Sequence, residues 1–168
     1  MKAIVYSSNT GFTAEYARIL SEKTGLPVYT IDQAQASLAK DDEVIFMSWL
    51  MAGKITDLKK VKARFNLKAI CAVGLCETDS LIEETKKSNK IDKSLPVFTL
   101  QGGYAPEKLS GIYKFLMKIV TKVLIKKIDK TESPTESDKR MKSTLQNGGS
   151  YVGAENLNSV LKFIGKSL

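Results

Sequence analysis

Apolar residues fall along the chain in short unbroken runs, and polar stretches with helical spacing separate them. The runs are Ile4-Val5-Tyr6 in residues 2–7, Val28-Tyr29 in 27–31, Val44-Ile45-Phe46-Met47 in 43–48, Ala69 to Val73 in 68–75, and Val97-Phe98 in 97–100. None alternates with polar residues, which suits strands buried on both faces. Between them, Ala14, Ala17, Ile19 and Leu20 predict a helix over residues 14–23, closed by Thr24-Gly25. Leu58, Val61 and Phe65 predict another over 56–65, and residues 80–89 read as a charged, exposed helix. Residues 32–40 suggest a short helical turn and 49–54 a loop. Strands and helices in alternation predict an α/β fold, with a five-stranded parallel sheet between two helical layers.

The pattern changes after the fifth run. Residues 110–128 are apolar over a wide arc, crossed by lysines, and predict a long helix. Residues 130–150 are polar, with Pro134 and Gly148-Gly149, and read as an exposed loop. Leu157, Val160, Leu161 and Ile164 predict a closing helix over 154–166. The expectation is a single domain over 1–168, with 105–130 as an appended helix.

Composition narrows the chemistry. The 168 residues contain no histidine, which excludes Ser–His–Asp and Cys–His catalysis and histidine-ligated metals. Cys71 and Cys76 alone form neither a four-thiolate zinc site nor a disulfide framework, and they fit a reducing cytosol. The N-terminus lacks the pattern of a secretory signal, and no charge-free stretch reaches membrane-spanning length. The expected location is therefore cytoplasmic, with the inner membrane face as a peripheral site. Chemistry is left to backbone groups, hydroxyls, a few aromatics or a bound cofactor. No side chain is expected to act as acid, base or nucleophile, and no metal site is expected.

Ser7-Ser8-Asn9-Thr10-Gly11-Phe12-Thr13 joins the first strand to the first helix. In a parallel sheet this loop lies at the carboxyl edge, where ligands bind. The helix N-terminus presents unpaired N–H groups and a positive dipole end. Ser8, Thr10 and Thr13 add hydroxyls, and Gly11 permits close approach. A phosphate monoester matches these donors; ordinary capping of the helix is the alternative. The loop has neither the lysine of a Walker A motif nor a GxGxxG pattern, which demotes nucleotide hydrolysis and dinucleotide binding.

The run from Ile4 to Leu20 resembles the flavodoxin signature: two aliphatics, an aromatic, a hydroxyl residue, a small residue and a threonine at fixed offsets. The resemblance covers Met1 to about Tyr104 and resumes at the last helix. It implies a flavodoxin-like three-layer sandwich with sheet order 2-1-3-4-5, and FMN as cofactor with its phosphate on Ser8, Asn9, Thr10, Gly11, Phe12 and Thr13. Two further loops of such proteins hold the flavin ring. Here they would be Ser48, Trp49, Leu50 and Met51 up to Gly53, and Gly74, Leu75, Cys76 and Glu77 up to Asp79. Trp49 could stack on the ring or pack in the core. Gly74 would allow close approach, and the Cys76 and Glu77 N–H groups would face the ring's polar edge. Glu77 and Asp79 would disfavour the anionic reduced flavin. Cys76 has no neighbouring base and reads as an inert thiol. Tyr104, after Gln101-Gly102-Gly103, would border the pocket or begin a turn.

The net charge of +8 favours anionic partners. Lys114, Lys118, Lys122 and Lys126 recur every fourth residue, and 105–130 carry seven lysines against Glu107 and Asp129, a net +5. Three readings of this helix stand together: a cover with a homodimer face, an amphipathic helix on an anionic membrane or a partner protein, and a core helix with a lysine edge. Nucleic acid fits poorly, because no aromatic-interleaved basic patch occurs. A basic helix after the fifth strand, followed by a polar loop and a final helix, is similar to bacterial flavodoxin-like protoporphyrinogen oxidases. The expected function is electron transfer by a flavoprotein with a redox partner protein or a small-molecule donor or acceptor. The alternatives are an FMN-dependent oxidoreductase of the protoporphyrinogen oxidase type in heme biosynthesis, and a flavin-free module for lipid surfaces or protein interaction.

Overall fold

The computed structural model describes residues 1–165. In chain order the strands are β1 (Ala3–Ser7), β2 (Val28–Thr30), β3 (Glu43–Met51), β4 (Lys54–Ile55), β5 (Asn66–Gly74), β6 (Val97–Gln101), β7 (Gly103–Tyr104) and β8 (Gly149–Ser150). The helices are α1 (Phe12–Thr24), α2 (Ile31–Ser37), α3 (Leu58–Lys62), α4 (Ile82–Asn89), α5 (Gly111–Asp129), α6 (Glu136–Asn147) and α7 (Asn158–Ile164). Lys166, the expected end of the closing helix, lies outside the described residues.

The protein is α/β with a mostly parallel central sheet, as the continuous apolar runs predict. Five parallel strands lie in the order β2-β1-β3-β5-β6. The sheet has six strands rather than five, because β4 pairs antiparallel with β3. The loop expected over 49–54 is corrected accordingly. Strand β3 runs on through Trp49, Leu50 and Met51, then reverses over Ala52 and Gly53, with φ of 48° and 77°. Positive φ at both central residues is the tight turn whose twist matches a hairpin. Alanine is an uncommon residue there, so the sequence carries no Asn-Gly signal for it.

The chain forms two compact units. The first comprises Met1–Gly102 and the segment from Val152 onward; the second is Gly103–Tyr151. The first unit has a core on each face of its sheet. Val5, Val44, Phe46, Ile70 and Ala72 face Ala34, Leu58 and Val61 from α2 and α3. Ile4, Ile45, Met47, Cys71 and Leu100 face Tyr16, Ala17 and Leu20 of α1 and Val160 and Leu161 of α7. Neighbouring residues on each strand therefore bury on opposite faces, which accounts for the absence of polar positions.

The second unit holds the antiparallel pair β7–β8 with α5 and α6. The exposed loop expected over 130–150 is largely α6. Thr135 caps it: its hydroxyl accepts from the Asp138 N–H at 3.1 Å, and Asp138 accepts from the Thr135 N–H at 2.9 Å. The Thr135 hydrogen bonds hold the Asp138 carboxyl below its ordinary range. Leu145 is buried and Thr144 shares a 2.6 Å hydrogen bond with the Tyr151 hydroxyl. The helix was hidden because its twelve residues are so polar that no apolar period shows.

Candidate functional site

The sheet register sets the site. Ser7 stands opposite Ser48, Trp49 opposite Val73, and Gly74 opposite Gln101, so the carboxyl ends of β1, β3, β5 and β6 form one edge. The chain leaves this edge through the β1–α1 segment. Gly11 sits there at φ 100°, a left-handed conformation that side chains rarely adopt. Its N–H donates to the Ser8 hydroxyl at 3.2 Å, and its carbonyl accepts from the Glu15 N–H at 3.0 Å. Among the described residues, no side chain caps α1. The N–H groups of Phe12, Thr13 and Ala14 belong to the first turn and have no acceptor within the helix.

Beside this turn lies a cleft of about 480 Å³, lined by Tyr6, Ser7, Ser8, Asn9, Gly11 and Ala14 on one side. Thr30, Ile31, Asp32, Asp57 and Lys60 complete it. Lys60 pairs with Asp32 at 3.2 Å, and the Ser7 hydroxyl donates to Asp57 at 2.7 Å. Asp57 is held at φ 59° just before α3. No short-range pattern announces Ser7–Asp57, which joins positions fifty residues apart.

The segments that begin at Ser48 and Gly74 also reach the sheet edge. Gly74 and Gly102 pack together, the Gly102 N–H donating to the Gly74 carbonyl at 2.7 Å. A Cβ on Gly102 would come 2.7 Å from a Val73 methyl and 3.6 Å from the Phe12 Cβ. One on Gly74 would meet Leu50 at 3.2 Å. Phe12, Gly102, Gly74 and Leu50 thus form a continuous row, and Leu50 is the side chain that covers the end of β5. Trp49 is half-buried at the next position of β3. Ser48 is fully buried and donates to the Thr56 carbonyl at 2.8 Å, so its hydroxyl supports the hairpin. Met51 lies near the hairpin tip. There Asn89 clamps the turn, donating to the Gly53 carbonyl at 2.8 Å and accepting from the Ile55 N–H at 2.9 Å.

The segment after β5 is supported from below. Leu75 offers its carbonyl to the Gln101 amide at 3.3 Å, while Cys76 and Glu77 are exposed. Local desolvation, with the Glu77 charge alongside, pushes the Cys76 thiol above its ordinary range. Thr78 donates to Asn156 at 2.8 Å and accepts from the Gln101 N–H at 3.1 Å. Asn156 donates to the Tyr16 hydroxyl at 2.7 Å, and that hydroxyl donates to the Gln101 carbonyl. Burial, foremost, pushes Tyr16 up to about 12. Ser159 donates to Asp79 at 2.7 Å, while Asp79 Oδ1 is buried with no partner among the described residues.

Ser8, Asn9 and Gly11 of the expected phosphate residues line the cleft. Thr10 lies in the same turn, Phe12 packs by Gly102, and Thr13 is almost fully buried, so its hydroxyl is not a cleft donor. Tyr104 belongs to the second unit, where it is buried in β7 opposite Gly149. Asp57, Asp32, Lys60, Tyr16, Gln101 and Asn156 were not signalled as site residues. Asp57 falls inside the helix expected over 56–65, whereas in the structure it precedes α3, and no local pattern singled it out. Comparison with protein-family models, curated proteins and solved structures gave no match.

Proposed function

We propose that this chain is an FMN-binding, flavodoxin-like redox protein that carries electrons between partners. The observation that carries the reading is the uncapped N-terminus of α1, preceded by a hydroxyl-rich, lysine-free turn at the carboxyl edge of a parallel sheet. Here the first-turn N–H groups stay available to an anion, and phosphate is their matching ligand. The order of the parallel strands, with β4 set aside as a hairpin, supports the flavodoxin-like arrangement.

The donor set suits the two polar parts of FMN. The N–H groups of Phe12, Thr13 and Ala14 with the hydroxyls of Ser8 and Thr10 would hold the phosphate. Asp57, already accepting from Ser7, would repel a second anion but accept hydrogen bonds from the ribityl hydroxyls. Trp49 and Leu50 would supply apolar surface for the ring, and the Cys76 and Glu77 N–H groups would meet its polar edge. When bound, FMN supplies the electron transfer. The residues around it bind, orient and shield it, and the Glu77 charge disfavours added negative charge on the ring.

The test is a fluorescence titration with FMN and with riboflavin, which lacks the phosphate. Several charge-assisted hydrogen bonds at about 1.5–3 kcal/mol each predict at least about a hundredfold weaker binding of riboflavin. Thr10→Glu places a carboxylate in the turn and is expected to abolish FMN binding. Equal affinity for the two flavins, or an unchanged FMN affinity in Thr10→Glu, would overturn the reading.

A further inference from the structure

In α5, none of the nineteen residues is buried. Met117, Thr121, Leu124, Ile125 and Ile128 are half-buried and share one side of it. On the opposite side Ile112, Phe115, Ile119 and Val123 recur at helical spacing and stand 67%, 64%, 47% and 62% exposed. Side chains of that size in a continuous exposed row call for a cover. Lys114, Lys118, Lys122 and Lys126 run along the flank of the row, and no acidic residue precedes Asp129 in the helix. The second unit as a whole has ten basic against five acidic residues, a net +5.

We propose that α5 is an in-plane docking helix for an anionic lipid surface, with Ile112, Phe115, Ile119 and Val123 at the acyl boundary and the lysines on the headgroups. The charge decides among occupants. A second copy would bring one lysine stripe against another, which is repulsive. Protein interfaces favour Arg, Tyr and Trp and are depleted in Lys, whereas every basic residue of α5 is a lysine. Lysine stems lie along apolar surface while the ammonium reaches the headgroups. A nucleic acid would meet the lysines and leave the apolar row uncovered. No helix among the described residues is long and apolar enough to cross a membrane, so α5 is placed on the surface, not through it.

Co-flotation of the full chain with vesicles tests this, using phosphatidylcholine alone and phosphatidylcholine with one third phosphatidylglycerol. Binding to the anionic vesicles in low salt, released by high salt and absent from the neutral ones, is expected. Each lysine near such a surface contributes roughly a fivefold factor. Lys114→Glu/Lys118→Glu/Lys122→Glu/Lys126→Glu should therefore weaken binding by about a hundredfold or more. Ile112→Ser/Phe115→Ser/Val123→Ser, which keeps every lysine, should lose at least about tenfold. All these positions are exposed, and unchanged far-ultraviolet circular dichroism confirms that each variant folds. Absence of flotation in low salt, equal binding to neutral vesicles, or unchanged binding in either variant would overturn the proposal. So would a dimer by sedimentation equilibrium that Phe115→Ser dissociates, because a second copy would then cover the row.

Discussion

Removal of one oxygen atom tests how the carboxyl edge of the sheet is held. The Tyr16 side chain is 0% exposed, and its hydroxyl both donates to the Gln101 carbonyl and accepts from Asn156. Tyr16→Phe keeps the ring and deletes the hydroxyl's hydrogen bonds, these two among them, which takes one partner from a partly buried carbonyl and amide. Net hydrogen bonds contribute about 1 kcal/mol each, and a stranded buried group costs about 1–3 kcal/mol. The expected loss is about 2–3 kcal/mol, read as the urea midpoint multiplied by the slope, or as a fall in Tm of roughly 4–12 °C. The same hydroxyl sets a pH signature. In the folded protein it stays protonated up to about 12, against 10.0 for the free group. Its contribution is complete below pH 10 and is lost as pH rises from 10 to about 12. Wild type should fall toward Tyr16→Phe across that window. A midpoint within about 0.5 kcal/mol of wild type, or parallel curves above pH 10, would show that the Tyr16 hydroxyl does not hold this edge.

Three further outcomes follow from the same geometry. Gly102→Val forces a Cβ to 2.7 Å from Val73 and 3.3 Å from the Gly74 carbonyl, and should cost about 2 kcal/mol or more in urea denaturation; an unchanged midpoint would show that the edge relaxes freely. Asn89→Ala strands the N–H of Ile55, a residue only 5% exposed, and should destabilise by about 1–2 kcal/mol. Amide exchange at Ile55 should accelerate most, and protection equal to wild type there would contradict the clamp. Thr135→Ala removes the cap of α6 and should cost about 1 kcal/mol of helix stability by circular dichroism, so an unaltered thermal transition would count against it.

The parallel strands were legible because each is apolar on both faces: Ile4 and Val5, or Ile45 and Phe46, bury into opposite layers. The turn between β1 and α1 was legible because its signal is local, with a glycine, hydroxyls and a helix start within seven residues. What escaped was nonlocal or polar. The β3–β4 hairpin turns on Ala52, a residue with no turn signature, and its support comes from Asn89 in another element. The Tyr16–Asn156–Thr78–Gln101 network joins four segments distant in sequence. Helix α6 is held by its Thr135 cap and a few contacts such as Leu145, so binary patterning reads it as loop. Trp49 illustrates the limit of residue type alone. The strand phase places it at the sheet edge, while its neighbour Leu50 packs against Gly74.

On the proposed function, the β1–α1 turn and the adjacent sheet edge bind FMN. Gel filtration of the full chain after incubation with excess FMN, followed at the flavin absorbance, tests it most directly. Yellow protein with about one flavin per chain, its fluorescence quenched, is expected, and colourless protein when riboflavin replaces FMN at the same concentration. Colourless protein after FMN, with the flavin eluting entirely in the small-molecule volume, would contradict it.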